Sequence, residues 1–398
     1  MKVLKVLQQG LLATALVSLG GCSLFEDEEL TYKELQPFNA TVNPSAQWDV
    51  SVGDGVENFF SRLNPAVVGD VIVAADRDGY VAAYSRSDGK RVWERDLQAE
   101  YTAQGASWLD GTESLRISGG VTGYAGKALL ASENGDVFML DAATGEVNWH
   151  AKVNAEIVAD PAFDGSYVVV AAGNGQIFAF DAENGEEIWN LPTDVPALTL
   201  RGNSKPTLAA GGAIIGTATG KLTVVVLQNG QQAWEARLAV PKGATELQRL
   251  VDVDSAPIVS GPTIYNIAYN GQLAAVEIRT GRIVWQREYS SFQNLAMYGS
   301  NLYLTDTQDH VYSINTDGGI ERWVNNDFEG RELTAPVYFQ GYIVVGDDFG
   351  YLHFIDAQTG KTSGRLELDD AAYSQPVVED DQLFIQTRDG TLLAVRIN

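Results

Sequence analysis

The sequence predicts an all-β fold: an eight-bladed β-propeller of four-stranded antiparallel blades, with the ring closed by the N-terminal strand. Three observations predict it. First, a glycine is followed four residues later by tryptophan at Gly89/Trp93, Gly145/Trp149, Gly185/Trp189, Gly230/Trp234, Gly281/Trp285 and Gly319/Trp323. A further copy, Gly360/Gly364, keeps the spacing and loses the tryptophan. Second, each copy is preceded by apolar runs of strand length, rich in Val, Ile, Phe and Tyr, as in "SYVVVAAGNGQIFAFDAENGEEIW". The runs are separated by Asp-Gly or Asn-Gly pairs such as Asp78-Gly79, Asn134-Gly135, Asn174-Gly175, Asn270-Gly271 and Asp389-Gly390, which supply the positive φ of tight hairpin turns. Third, the tryptophans recur every 38 to 56 residues, roughly, which is the period of a propeller blade.

Each repeat is a meander of four strands, and one meander alone cannot bury both faces. Blades stacked around an axis can, with the tryptophans filling the space between them. Strand sets begin near Pro65, Val121, Pro161, Pro206, Pro257, Leu295, Pro336 and Pro376. The last set has room for three strands. Its fourth is expected at the other end of the chain, in "AQWDVSV" at residues 46–52, where Trp48 and Val52 repeat the spacing of Trp93 and Leu97. Closure of this kind leaves no open end to the array. The propeller therefore takes residues 46–398.

Ahead of it lie two short regions. Residues 1–21 carry Lys2 and Lys5, then an apolar stretch with no acid, as a secretory signal does; the stretch is short for a membrane span. It ends in "LGGC", which resembles a bacterial lipoprotein cleavage box, and Cys22 is the only cysteine of the chain. Cys22 is the expected lipid attachment site, and acyl chains at about 0.8 kcal/mol per buried CH₂ would anchor it firmly. Ser23 rather than Asp at the next position favours, by the same resemblance, the outer membrane. Residues 22–45 are read as the lipidated cysteine and an acidic tether, with Glu26–Glu29 acidic and Pro37 and Pro44 breaking regular structure.

The formal charge of −25 argues against nucleic acid and anionic lipid as direct partners, and favours a basic protein surface. Catalytic constellations are missing. His150, His310 and His353 fall in different blades without metal-ligand spacing, one cysteine leaves no disulfide, and no G-x-S-x-G elbow is present. "DRDG" at residues 76–79 lacks the later ligands of a calcium loop and sits where other repeats have their turn. "AAGGAIIG" at residues 209–216 lacks the Lys-Ser/Thr of a phosphate loop. No catalytic residue, metal ligand or cofactor is therefore expected.

Function is sought where the repeat breaks. Three connections between blades are long: residues 99–123, 195–205 and 239–255. In four-stranded meanders they leave from one face, that of the turn between second and third strands. The connection at 195–205 carries Leu198, Leu200 and Arg201, an apolar anchor beside a forked donor, which suits protein binding. Leucines folded inward as a cap are the other placement. The connection at 239–255 alternates Asp252 and Asp254 with Val251 and Val253, putting both carboxylates on one side of an extended segment. Pairing of either with Arg201 would tie the two loops together. Residues 99–123, with Trp108 and Arg116, fit a flap or more contact surface.

The cleavage box, acidic tether and Trp-motif blades together resemble the BamB family, the lipoprotein subunits of the bacterial outer-membrane β-barrel assembly (BAM) machinery. The likeness spans the chain, and "LTLRG" and "DVDSAP" are its more specific local matches. It implies a non-catalytic scaffold, lipid-anchored in the outer membrane and facing the periplasm. Such a scaffold docks on the POTRA domains of the central barrel subunit BamA and assists folding and insertion of β-barrel proteins, with nascent outer-membrane proteins as a further partner class. The family's binding loops map onto Leu198, Leu200, Arg201, Asp252 and Asp254. The blade phrase also resembles the quinoprotein repeat of pyrroloquinoline-quinone dehydrogenases, which are generally longer, carry an adjacent cysteine pair and hold their quinone over a calcium site. A lipid-anchored scaffold of another envelope complex is the third reading.

Overall fold

The computed structural model describes residues 32–101 and 114–397; the signal segment, Cys22, Trp108 and the rest of residues 102–113 lie outside them. The described residues form eight four-stranded antiparallel sheets around an axis. Seven run in chain order from the innermost strand to the outermost. In the third, for example, β10 (Ala162–Phe163), β11 (Tyr167–Ala171), β12 (Gln176–Asp181) and β13 (Glu187–Pro192) pair in sequence. Burial follows that order. The two middle strands are buried on both faces because each face meets a neighbouring blade, whereas β13 shows alternate residues to solvent.

The eighth blade joins the two ends of the chain. β30 (Val377–Glu379), β31 (Gln382–Gln386) and β32 (Thr391–Ile397) are completed by β1 (Pro44–Ser51), in the order β1-β32-β31-β30. Register runs from Pro44 opposite Ile397 to Ser51 opposite Thr391, with an irregularity between Ala46 and Trp48. The closing strand starts at Pro44, two residues ahead of the expected boundary. The second blade also starts earlier than Val121: its innermost strand, β6, spans Ile117–Tyr124. Turn-like glycines at 119, 120 and 123 obscure that strand in the sequence, and two register shifts accommodate the extra residues.

The Gly-to-Trp phrase has a specific contact behind it. The two members of one copy serve different junctions. Each indole packs on the glycine of the following blade: a Cβ at Gly145 would come within 2.6 Å of the Trp93 ring, and one at Gly185 within 2.7 Å of Trp149. The same indoles donate Nε1–H to a nearby carbonyl, Trp93 to Ala142 at 2.9 Å and Trp149 to Ala182 at 3.0 Å. Trp48 of the closing strand does this for the first blade, against Gly89 and the Arg86 carbonyl. Between blades seven and eight there is no such glycine, because the outermost strand of blade eight comes from the N-terminus. Gly364 takes the tryptophan's place and clears room for Val42 and Pro44; a Cβ there would meet Val42 Cγ1 at 2.6 Å.

Residues 32–43 were expected to be part of a tether, and here they lie along blade seven. Lys33 N–H donates to the Glu329 carbonyl at 2.8 Å, Phe38 lies under the Arg365 guanidinium at 4.9 Å, and Thr41 N–H donates to Ser363 at 2.8 Å. Val42 is buried in the seam between blades seven and eight. The segment starts over Phe349, whose ring is 4.5 Å from Tyr32 and 4.3 Å from the Arg331 guanidinium. Arg331 is itself held by the buried Asp347, whose carboxylate also lies 2.8 Å from His353 Nε2. Apolar side chains spaced along a nominally polar stretch explain why it packs.

Candidate docking surface

Turns between second and third strands and connections between blades share one face, and all the site residues lie there. The face has a polar centre, where residues just ahead of the innermost strands of six blades converge: Asn64, Asp160, Lys205, Asn294, Ala335 and Gln375. Lys205 Nζ meets Asp160 at 3.1 Å across it. Arg62 reaches over it, donating to the carbonyls of Asp254 at 2.9 Å and Phe292 at 3.3 Å.

The connection at 195–205 has no strand partner and is shaped by side chains beneath it. Leu198 is 42% exposed and Leu200 half-buried, so Leu198 points outward. The pairing of Arg201 with Asp252 or Asp254 that would tie the two loops together does not form. Arg201 pairs instead with Glu133, at 2.8 Å, and Glu156, whose Oε1 is 3.1 Å from Nε. Those glutamates belong to the turn of blade two and the connection after it. They bring Arg201 back over the preceding blades, and the Glu156 hydrogen bond foremost raises the guanidinium pKa. Glu133 also holds Arg77 of blade one, forming a chain of charges across three blades.

Asp252 and Asp254 turn inward, away from Arg201. Both are buried, as are Val251 and Val253, because the segment passes under the neighbouring loop rather than along the surface. Asp252 accepts a hydrogen bond from Leu200 N–H, and its own carbonyl accepts from Tyr269 N–H at 2.8 Å. Asp254 lies against Gly202, where a Cβ would come within 2.3 Å of Oδ2. Glycine at the end of "LTLRG" is therefore a clearance for Asp254. Burial raises both carboxyls, Asp252 to about 6 and Asp254 to about 7; Arg62 partly offsets the effect at Asp254. Leu198 and Arg201 thus lie at the surface with Leu200 half-buried between them, while the two aspartates are buried beneath, against the Leu200 N–H and Gly202.

Sequence reasoning missed Glu133, Glu156 and Arg62, which lie in short turns and entry loops with no motif. Each histidine is bound to an aspartate of its own blade: His150 to Asp136, His310 to Asp306 and His353 to Asp347. Among the described residues no group of three or more His, Cys, Asp or Glu is arranged to hold a metal ion. "DRDG" is a turn, in which Asp76 Oδ1 accepts from Gly79 N–H and Tyr80 N–H at 2.8 Å.

The family described as outer membrane protein assembly factor BamB matches residues 31–110, 77–325 and 310–398. The outer membrane protein assembly factor BamB of Escherichia coli (strain K12) is 40% identical over 399 residues, covering 99% of this chain and 100% of the relative. The crystal structure of BamB from Moraxella catarrhalis superposes with a TM-score of 0.77 at 27% identity, over 89% of this chain and 99% of that one. Quinohemoprotein alcohol dehydrogenase from Comamonas testosteroni shares the fold, with a TM-score of 0.64 at 13% identity over 89% of this chain and 76% of that one. With likeness along nearly its whole length to proteins of one kind, and the same ring of blades, the chain belongs to the BamB family of outer membrane protein assembly factors.

Proposed function

We propose that the chain is a non-catalytic scaffold of the outer-membrane β-barrel assembly machinery. It docks through the connection at 195–205 on the periplasmic POTRA domains of BamA, held at the outer membrane by lipid on Cys22. The observation that carries this is the mounting of the loop. Leu198 is 42% exposed on a segment whose backbone is fixed by Asp252 and whose Arg201 is aimed by two glutamates. A loop already ordered loses little freedom on binding, and an exposed apolar anchor next to a guanidinium suits a protein partner. Assistance to nascent outer-membrane proteins follows from membership of the machinery. Nucleic acid is disfavoured by the charge of −25.

The test is a titration of the full chain, in mild detergent, against the purified periplasmic domains of BamA. Saturable binding is expected, weakened at least about tenfold by Leu200→Asp with Arg201→Glu while the folded yield is kept. Absence of binding by the folded wild-type chain would sink the docking role. Loss of folded yield in the variant would show that Leu200 serves the core instead.

A further inference from the structure

Phe59 and Phe60 are adjacent phenylalanines on the connection from β1 to the first blade, on the same face as Leu198. They are 48% and 43% exposed. Adjacent, partly exposed aromatic side chains on a surface loop form the kind of apolar patch that marks a protein contact site. This loop is also held firmly. Arg388 Nη1 donates to the carbonyls of Glu57 and Phe59 at 3.2 and 3.3 Å, Arg77 N–H donates to Gly55 at 2.8 Å, and Val56 and Leu63 are fully buried below. The Phe59 ring lies 4.3 Å from the Arg77 guanidinium. Arg77 is joined through Glu133 to Arg201, and Phe59 and Arg201 line the same open basin.

We propose that Phe59 and Phe60 are a second contact point for the partner that docks at Leu198, Leu200 and Arg201, resting on the docking role proposed above. The two patches are parts of one surface, continuous through the Arg77–Glu133–Arg201 chain. Its charge states the partner's chemistry. Arg77 and Arg201 are neutralised by Glu133 and Glu156, whereas Asp54, Glu57 and Asp78 on the basin rim have no cationic partner among the described residues and face one unpaired guanidinium, Arg116. The surface therefore fits a protein domain offering an apolar cleft bordered by lysine or arginine. Buried aromatic anchors with a polar rim are the usual division of labour at such contacts.

The same titration tests it, with Phe59→Ser/Phe60→Ser and with Phe60→Ala alone, which leaves Phe59 on Arg77. Weakening of at least about tenfold in the double variant, and a smaller loss in Phe60→Ala, is expected, with urea midpoints unchanged. Full affinity in both phenylalanine variants, alongside loss in the Leu200/Arg201 variant, would overturn the second contact and leave the docking role standing. No binding by the wild-type chain would overturn both. Should the double variant unfold early, Phe60→Ala decides.

Discussion

Gly145→Ala is the sharpest probe of what holds the ring together. Gly145 has φ of +74°, and a Cβ there would lie 2.6 Å from the Trp93 ring. Alanine in the left-handed region costs about 1–2 kcal/mol. Forcing a methyl group into the indole adds about 1–3 kcal/mol. The indole cannot retreat without breaking its 2.9 Å hydrogen bond to Ala142. A loss of about 2–5 kcal/mol is therefore expected, a large share of the 5–15 kcal/mol, roughly, that holds a typical protein folded. Gly126 is the control. It sits in the same blade with φ of +79° and nothing within 4 Å of an added Cβ. Gly126→Ala should cost the backbone share alone, about 1–2 kcal/mol. Urea unfolding followed by tryptophan fluorescence reads both. Equal losses in the two variants would refute the claim that the glycine exists to receive the neighbouring blade's tryptophan.

Other outcomes follow from the closure and from the buried carboxylates. Deleting residues 44–51 removes the outermost strand of blade eight and strips β32 of its partner; the loss should exceed the 3–5 kcal/mol, about, of removing Trp48 alone, and size-exclusion chromatography should show aggregation. A truncated chain that elutes and melts like the full one would refute closure by β1. Asp252 and Asp254 titrate at about 6 and about 7 when folded, above their ordinary 3.8, so the folded chain keeps protons that the unfolded chain has released. Their contribution therefore falls as pH rises from about 4 to 7 and is least favourable above 7, by a few kcal/mol in order of magnitude. Asp252→Asn with Asp254→Asn should flatten the decline in urea midpoint between pH 5 and pH 7.5; an unchanged slope would count against the burial argument.

The sequence by itself determined the architecture. Blade count, strand order, closure by the N-terminal strand and the shared face of the long connections all follow from a local period, because each blade is the same short meander. It also marked the loop with Leu198, Leu200 and Arg201, since an irregularity is visible against a regular repeat. Only the tertiary structure decided which groups meet between repeats. The phrase Gly145/Trp149 looks like one unit, yet its glycine receives Trp93 and its tryptophan reaches Gly185. Gly364 looks like a decayed copy, yet it clears space for Val42, which lies far away in the chain. Arg201 looks toward Asp252 in the sequence, yet Glu133 and Glu156 take it, and the aspartate turns inward to the Leu200 backbone. Local pattern fixes what each strand buries. Partners between blades depend on the angle and spacing at which the closed ring sets one blade against the next, and no single repeat carries that information.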